Sequence, residues 1–331
     1  MFDIHPDISQ AETLSSEFYI DESVFYESQK KIFGRTWQFA GTTDEVSNLK
    51  PINILDTPLV LAKDGENINC FSNVCTHRGA FLVEKKCQAN GIRCRYHGRR
   101  IDLQCKFLSM PEFEETKNFP SEKDDLPKVS CNVWGKFIFA SLDPVAPLDE
   151  FLSEMRKAVK LSENLKFAGA KDYRINAHWA LYCENYLEGF HVPFVHPALN
   201  NEIDYGTYTT ELFRYSNLQT AYDDNGELAA LHFFIFPNMM FNFYPWGLSL
   251  NIVRPVSPNK TTVSYFTFVS DETKVGKGAG GDLETVELED QAIVESVQKG
   301  IRSRFYDTGR YSPTREQGTH HFHRLIGEFM K

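Results

Sequence analysis

The sequence predicts an α+β protein with an N-terminal all-β domain and a C-terminal domain in which an antiparallel sheet packs against helices. Two observations predict this division. Between residues 36 and 145, apolar residues follow the short rhythm of strands separated by turn residues. In residues 146–331, helical periodicity occurs at both ends of a series of longer strand patterns. Residues 1–35 form a helical segment that we expect to pack on the C-terminal domain.

Composition and charge argue against several classes of protein. The 331 residues are 42% hydrophobic and 24% charged, which is ordinary for a globular chain of about two domains. A formal net charge of −10 argues against a nucleic-acid partner. No apolar run reaches the length of about 18 residues that a membrane span needs, and the N-terminus lacks the pattern of a signal peptide. We therefore expect a cytoplasmic protein with no membrane partner.

Short strand patterns dominate the N-terminal domain. Before it, Asp21 and Ser23 can cap a helix that contains Phe25 and Ile32. The strand candidates are Thr36–Ala40, Pro51–Thr57, Leu59–Ala62, Ile68–Asn73, Arg99–Leu103, Val129–Val133 and Phe137–Ser141. Asp143-Pro144 ends the domain, because proline lacks a backbone donor and restricts the residue before it.

The C-terminal domain begins and ends with predicted helices. Leu148–Leu161 has apolar residues at helical spacing, and further helices are predicted from Asp282 to Arg302 and near Phe322–Met330. The strand candidates between them are Tyr173–Ala180, Thr207–Tyr215, Ala229–Phe236, Met240–Phe243, Leu248–Arg254 and Thr261–Val269. The glycine-rich stretch 276–281 is predicted to be a loop.

Candidate metal ligands occur in two similar loops of the N-terminal domain. The loops read Cys75-Thr76-His77 and, sixteen residues later, Cys94-Arg95-Tyr96-His97. Two thiolates and two imidazoles can hold one tetrahedral zinc ion, or a [2Fe–2S] cluster with two histidines on one iron. In zinc fingers the two histidines usually lie on one helix, whereas each loop here supplies one ligand of each kind. Gly79 and Gly98 after the histidines suit tight turns, and the pattern therefore favours the cluster.

A second pair of histidines lies in the C-terminal domain. His191 and His196 are five residues apart and would not share a face of an uninterrupted helix. Pro193 between them predicts a helix end or kink that can bring both imidazoles to one point. Two imidazoles and one carboxylate form the ligand set of non-haem Fe(II) oxygenases. Taken alone, a pair of loop histidines without a metal is the alternative.

Together the two motifs resemble those of the Rieske non-haem iron oxygenases, in their large (alpha) subunit. The second motif, Glu184-x3-Glu188-x2-His191-x4-His196, is similar to the family's mononuclear-iron motif and follows the first in the family's order. The resemblance covers the chain from about Trp37 onward. It implies a Rieske [2Fe–2S] domain at 36–145 and a helix-grip catalytic domain at 146–331. The ligands that it implies are Cys75, His77, Cys94 and His97 for the cluster, and His191 and His196 for a mononuclear Fe(II).

The resemblance also implies two functional carboxylates. The third iron ligand of the family lies on a helix near the C-terminus, and Leu288-Glu289-Asp290-Gln291 resembles that segment. We predict Asp290 as the ligand, with Glu289 and Glu287 as alternatives. Glu188 stands where the family places an acidic residue, usually Asp, that links the iron to a neighbouring subunit's cluster. A surface or capping carboxylate is the alternative for Glu188, and Glu at this position is shared with oxygenases of quaternary ammonium compounds.

The resemblance implies a terminal oxygenase component that works as a homotrimer and takes O2 as co-substrate. The one Gly-x-Gly-x-x-Gly spacing, at 276–281, does not directly follow a predicted strand, and the chain lacks a plant-type ferredoxin cysteine run. NAD(P)H would therefore act only indirectly, through a flavin and iron–sulfur reductase or a ferredoxin. We expect hydroxylation or oxidative cleavage of a small molecule, with a quaternary ammonium or betaine-type compound favoured. The alternatives are aromatic-ring dihydroxylation, aromatic-acid O-demethylation, a Rieske electron carrier without oxygenase chemistry, and a zinc-stabilised binding module.

Aromatic residues of the strand region are predicted to line the substrate pocket. They are Tyr205, Tyr208, Phe233, Phe241, Phe243, Tyr244 and Trp246. An aromatic cage for a trimethylammonium group, a flat slot for an aromatic ring and ordinary core packing would all use such residues. The seven cysteines include Cys87 and Cys105 near the cluster loops, for which a disulfide and two separate thiols are both open.

Overall fold

The chain divides into two units. One is formed by Phe33–Leu148, and the other by the residues up to Ile32 together with Asp149–Lys331. The computed structural model describes residues 2–162, 164–196, 206–223, 225–275 and 283–331, so the predicted loop at 276–281 lies outside the described residues. In these residues, every helix is too short or too polar to cross a membrane.

The unit Phe33–Leu148 consists of two antiparallel sheets. Its strands are β1 Gln38–Thr42, β2 Leu49–Ile54, β3 Thr57–Asp64, β4 Asn67–Ser72, β5 Ile92–Arg93, β6 Arg100–Ile101, β7 Phe107–Ser109, β8 Lys128–Trp134 and β9 Phe137–Ser141. Their orders are β1-β9-β8-β4-β3-β2 and β5-β6-β7. One apolar core cluster of this unit contains Val60 and Phe71 from the large sheet, Ile101 from the small sheet, and the buried Cys75 and Cys94. The two loop cysteines are therefore fixed in the core of the unit.

The other unit has a seven-stranded antiparallel sheet and most of the helices. The α-helices within the described residues are α1 Ser16–Ile20, α2 Glu22–Lys31, α3 Leu148–Ala158, α4 Trp179–Tyr186, α5 Val192–Val195, α6 Leu283–Gly300 and α7 Gln317–Met330. The strands are β10 Lys166–Ile175, β11 Thr209–Leu212, β12 Ser216–Tyr222, β13 Leu228–Ile235, β14 Met239–Tyr244, β15 Gly247–Ser257 and β16 Lys260–Val269. Their order is β10-β16-β15-β14-β13-β12-β11, and α4 lies against β15, α6 and α7.

The predicted α+β class is confirmed, while several element boundaries differ from the prediction. The predicted strand Tyr173–Ala180 is instead the end of β10 followed by the start of α4. His178 begins that helix, because its Nδ1 accepts a hydrogen bond from the Ala180 amide. The predicted strand Thr207–Tyr215 is shorter in the structure, as β11 Thr209–Leu212. β12 after it was not predicted, because four of its seven residues are polar.

The first two helices pack within the unit that contains the seven-stranded sheet. Asp21 caps α2 as predicted, since its side chain accepts hydrogen bonds from the Ser23 and Val24 amides at 2.8 and 3.0 Å. Phe18 and His178 are fully buried, and their ring centroids are 5.2 Å apart. Burial lowers the pKa of His178 to about 3, so this histidine is a neutral core residue.

Candidate metal centres and substrate pocket

The two cysteine–histidine loops have the same backbone geometry. In the first loop the Gly79 amide donates to the Cys75 carbonyl at 2.9 Å, and in the second the Gly98 amide donates to the Cys94 carbonyl at 3.0 Å. The cysteine amides donate in turn to the carbonyls of Ala80 and Arg99, each five residues onward. Both glycines adopt positive φ, +70° and +75°, which explains the glycine after each histidine.

The four candidate cluster ligands come together as two pairs, each with one residue from each loop. The sulfurs of Cys75 and Cys94 are close enough to form a hydrogen bond, and burial is the main cause that raises the pKa of the Cys75 thiol. The ring centroids of His77 and His97 are 4.7 Å apart. The Nδ1 atom of His97 is buried and has no hydrogen-bond partner in the described residues, as expected of an atom that binds a metal. Buried thiols and an unpartnered imidazole fit an iron–sulfur cluster.

A buried arginine ties the two loops together. Arg99 is 2% exposed and forms an ion pair with Asp124 at 2.8 Å. It also donates to the Thr76 hydroxyl of the first loop, and its guanidinium lies over the rings of Phe107 and Phe119. Arg99 directly follows the second loop, so this one side chain fixes the two loops relative to each other.

Cys87 and Cys105 do not form a disulfide. All seven cysteines have free thiols; Cys87 is exposed, whereas Cys105 is buried in the core cluster beside the loops. Burial raises the pKa of Cys105, so its thiol stays protonated at neutral pH.

His191 and His196 lie at the two ends of a one-turn helix. His191 is the N-cap of α5 and His196 is its C-cap, and Pro193 lies in the first turn, where proline is tolerated. The predicted break at Pro193 is therefore wrong, because α4 has already ended at Tyr186 and Pro193 starts a new turn. The short helix brings the two ring centroids to 5.2 Å, which an uninterrupted helix would not do.

Asp290 on α6 is the carboxylate that faces both imidazoles. Its Oδ1 lies 3.0 Å from His196 Nε2 and 3.5 Å from His191 Nε2, and it accepts a hydrogen bond from Asn185 at 2.6 Å. His191, His196 and Asp290 each offer one possible ligand atom, and these three atoms lie within 4.8 Å of one another. Among the described residues, this is the only group of at least three His, Cys, Asp or Glu side chains found that close together. Ligand atoms about 2.1 Å from one ion are at most about 4.2 Å apart, so a small adjustment suffices to bind a metal.

Two further glutamates form hydrogen bonds with the Nδ1 atoms of the imidazoles, the ring nitrogens that do not face Asp290. Glu188 Oε1 lies 2.7 Å from His191 Nδ1, and Glu289 Oε2 lies 2.7 Å from His196 Nδ1. The other oxygen of Glu188 accepts hydrogen bonds from the Phe190 and His191 amides. Burial lowers the pKa of His196, but Asp290 and Glu289 outweigh it and raise the pKa overall. The electrostatics of the site therefore favour a positive charge between Asp290 and the imidazoles.

A cavity of about 160 Å³ opens beside these residues. Its lining includes five tyrosines, namely Tyr182, Tyr186, Tyr208, Tyr244 and Tyr265. The sheet contributes a row of polar side chains that are aligned across four neighbouring strands: Gln219, His232, Asn242 and Ser249. The tyrosines bond to this row of polar side chains, since the Tyr186 hydroxyl donates to Asn242 and the Tyr208 hydroxyl donates to Gln219.

The predicted phenylalanine lining is wrong, because those residues lie on the opposite face of the sheet. Phe233 pairs with Phe241 across β13 and β14, and each lies next in sequence to a residue of the polar row, His232 or Asn242. Because successive strand residues point to opposite faces, the two phenylalanines face away from the cavity. Phe243 lies on the same face as Phe241, and Trp246 stacks on Tyr244 without lining the cavity. Tyr205 lies outside the described residues. Tyr208 and Tyr244, from the same aromatic group, do line the cavity.

Glu287 is a pocket residue that the sequence suggested only as an alternative iron ligand. It is 1% exposed, and its carboxylate accepts hydrogen bonds from the hydroxyls of Tyr182 and Tyr265. Burial raises the pKa of Glu287, and these hydrogen bonds partly oppose that effect. Burial and Glu287 raise the pKa of both tyrosines, so the phenols stay protonated and donate. Glu287 thus faces the cavity rather than the two imidazoles.

Comparison with known proteins identifies the two units. Residues 36–120 match the Rieske [2Fe-2S] domain family, and residues 162–222 and 207–331 match the family described as ring hydroxylating alpha subunit (catalytic domain). The second match covers just over half of the chain.

Similar proteins span nearly the whole chain. The chloroplastic choline monooxygenase of Arabidopsis thaliana is 28% identical over 100% of this chain and 86% of its own length. The carnitine monooxygenase oxygenase subunit of Escherichia coli (strain K12) is 27% identical over 97% of this chain and 95% of its own length. Because the plant relative is chloroplastic, the cytoplasmic location stays a prediction.

Solved structures show the same fold. A quaternary ammonium Rieske monooxygenase superimposes with a TM-score of 0.82 at 23% identity, covering 99% of this chain and 97% of that one. The naphthalene 1,2-dioxygenase of Rhodococcus superimposes with a TM-score of 0.73 at 16% identity, covering 96% and 94%. The cofactors of the fold are a Rieske cluster and a mononuclear iron, with O2 as co-substrate. The chain therefore belongs to the ring-hydroxylating alpha subunits, and it is a Rieske non-haem iron oxygenase.

Proposed function

We propose that this chain is the terminal oxygenase component of a Rieske-type system that hydroxylates or oxidatively cleaves a small quaternary ammonium compound. The observation that carries this proposal is the cavity beside His191, His196 and Asp290, whose charged side chains are carboxylates and whose aromatic residues are five tyrosines and three histidines. Carboxylates and the faces of aromatic rings attract cations electrostatically, so this lining favours a cationic substrate.

Cys75 and Cys94 would hold one iron of the cluster, and His77 and His97 the other. Matching glycine turns, buried sulfurs and the unpartnered His97 Nδ1 support this assignment. Neutral imidazole ligands raise the reduction potential to about −150 to +300 mV, so such a cluster readily accepts single electrons from a reductase and stores them for the oxygenase site. A structural zinc ion would leave the second site without electrons.

His191, His196 and Asp290 would hold the mononuclear iron, which when bound supplies open positions at which O2 can react. The surrounding residues orient these ligands. A carboxylate can only accept, so the Nδ1 atoms of both imidazoles carry the protons that Glu188 and Glu289 bind. The Nε2 lone pairs then face Asp290, as metal binding requires.

Glu188 is also proposed to couple this iron to the cluster of a neighbouring subunit. Its support is the family pattern at this position and its hydrogen bond to His191. A homotrimer and a separate flavin and iron–sulfur reductase, with or without a ferredoxin, would complete the system. The Escherichia coli relative is described as an oxygenase subunit, and one structural relative is described in terms of inter-subunit electron transfer.

The proposed reaction places one oxygen atom of O2 in a C–H bond and releases the other as water, which consumes two electrons and two protons. If the carbon is bound to nitrogen, the product is a carbinolamine. Its C–N bond breaks as the hydroxyl proton is lost, which releases an amine and a carbonyl compound. The similarity to choline and carnitine monooxygenases supports this substrate class. Ring dihydroxylation is less well supported, because the phenylalanine row lies on the other face of the sheet.

A substrate panel tests the proposed function. The purified chain, coupled to a generic reductase and NADH, should consume O2 with at least one of choline, L-carnitine and glycine betaine, and should form the hydroxylated or cleaved product. Oxygen uptake and product analysis give the result. The His191→Ala variant is the matched control and should show no substrate-dependent uptake, because it lacks one proposed iron ligand. Turnover of aromatic carboxylates without turnover of any ammonium compound would refute the substrate class.

A further inference from the structure

One buried acidic side chain in the pocket has no role in the proposed metal site. Glu287 lies one helical turn before Asp290 on α6, and it lines the cavity. Its hydrogen-bond donors are Tyr182, Tyr265 and Gln291, all of which are neutral. None of the ion pairs within the described ranges includes Glu287. Neutral donors lower the cost of burying a carboxylate but leave its charge unbalanced, so we expect the positive partner of Glu287 to come from outside the chain.

The charges around the cavity leave room for one monovalent cation. The charged side chains of its lining are Glu188, Glu287 and Asp290. An Fe(II) ion held by His191, His196 and Asp290 supplies two positive charges and leaves one negative charge uncompensated. In a largely buried site this residual charge acts strongly at short range, since the effective dielectric constant is well below that of water.

We propose that Glu287, Tyr182 and Tyr265 form the subsite for the ammonium group, and that the pocket selects a monocation with an uncharged polar end over a zwitterion. This rests on the proposed function, because it assigns the two ends of the substrate within the same cavity. A quaternary ammonium group has no N–H to donate. It is bound through its diffuse charge, by a carboxylate and by tyrosine rings.

The rest of the polar lining is uncharged. Asn242, Ser249 and Asn251 are buried on the sheet, and Gln219 lies beside them. Their amide and hydroxyl groups both donate and accept, which suits an alcohol. A substrate carboxylate would instead bring a further anion among three carboxylates, and the lining described for this cavity contains no Lys or Arg to receive it.

The size and position of the subsite fit a small amino alcohol. A cavity of about 160 Å³ is small beside the ~300–1,000 Å³ of sites for drug-sized ligands. Glu287 and Asp290 are three residues apart on one face of α6, a separation of about 5 Å along the helix. A cation at Glu287 therefore places the carbons next to its nitrogen beside the three proposed iron ligands.

Calorimetric binding to the intact, iron-loaded protein under anaerobic conditions tests the subsite. The ligands are choline, L-carnitine, and the carbon analogue of choline in which a tert-butyl group replaces the trimethylammonium group. Choline should bind the unmodified protein at least about tenfold more tightly than either of the others. In Glu287→Gln, choline affinity should fall at least about tenfold while the affinity of the tert-butyl analogue is unchanged. The ratio of choline affinity to carnitine affinity should also be smaller in Glu287→Gln than in the unmodified protein.

Glu284→Gln is the matched control, because Glu284 lies on the same helix but is exposed and pairs with Lys171 away from the cavity. It should leave all three affinities unchanged, and iron content and cluster absorbance should report an intact fold for each variant. If Glu287→Gln does not fold, the affinities of the unmodified protein for the three ligands still test the proposal. A tert-butyl analogue that binds as tightly as choline overturns the subsite, and carnitine that binds as tightly as choline overturns the selection.

The failure of this inference is distinguishable from the failure of the proposed function. If the protein consumes O2 only with aromatic or uncharged substrates, the proposed function itself fails. If choline and carnitine both support oxygen uptake but Glu287→Gln leaves choline affinity unchanged, only the assignment of Glu287 fails.

Discussion

Replacing Asp290 with alanine is expected to release the mononuclear iron and abolish substrate-dependent oxygen uptake. The variant keeps both imidazoles but loses the carboxylate that faces their Nε2 atoms at 3.0 and 3.5 Å. The loss of turnover should exceed the about 10–100-fold effect of removing an outer partner of a metal ligand. Iron analysis and an oxygen electrode measure the two effects. The visible absorbance of the cluster should not change, since its proposed ligands belong to the other unit.

Two variants of the same helix make this result specific to Asp290. Glu289→Ala removes the partner of His196 Nδ1 and should lower iron affinity by about 10–100-fold, with activity restored by excess Fe(II). Glu284→Ala should have no effect, because Glu284 is exposed and pairs with Lys171. If Asp290→Ala kept its full iron content while Glu289→Ala lost its iron and did not regain it with excess Fe(II), the third iron ligand would be Glu289 and not Asp290.

Replacing Glu188 with alanine should retain both metal centres under saturating iron but stop electrons from reaching the substrate site. Glu188 bonds to His191 Nδ1 at 2.7 Å and is the residue proposed to connect this imidazole to a neighbouring cluster. After anaerobic reduction, the cluster of the variant should re-oxidise at least about 100-fold more slowly when O2 and substrate are added. Stopped-flow absorbance of the cluster gives this rate.

Glu289→Ala is again the matched control for Glu188, because each glutamate holds the outer nitrogen of one imidazole. If only the orientation of the imidazoles matters, both variants should slow re-oxidation equally once iron is saturating. A slow rate confined to Glu188→Ala supports the electron route. Re-oxidation of Glu188→Ala at the rate of the unmodified protein would exclude that route.

Local patterns predicted the fold class, and together with the family resemblance they predicted the two groups of candidate metal ligands. A cysteine, a histidine and a glycine recur in each cluster loop, and the structure shows why, since both glycines adopt positive φ in identical turns. The histidines of the second site were found from their family spacing. Their local geometry was predicted wrongly, because Pro193 indicates a break but does not show that it starts a new helical turn.

The pocket could not be predicted as well, because its lining depends on which face of the sheet the helices cover. Aromatic residues at Phe233 and Phe241 were the conspicuous signal, yet they lie one position out of step with the pocket row. A weaker signal was available in the amide residues of the strands, such as Gln219 in β12 and Asn242 among the Met, Phe and Tyr residues of β14. Buried polar residues in a strand need partners, and here they face the cavity.

The metal and sulfide content of the anaerobically purified protein tests most directly whether one chain carries both an electron-storing cluster and an oxygen-activating iron. We expect about three iron atoms and about two acid-labile sulfide ions per chain, with the visible absorbance of a Rieske cluster. A chain that contains zinc without sulfide, or one that holds two iron atoms and rejects a third at saturating Fe(II), would contradict this expectation.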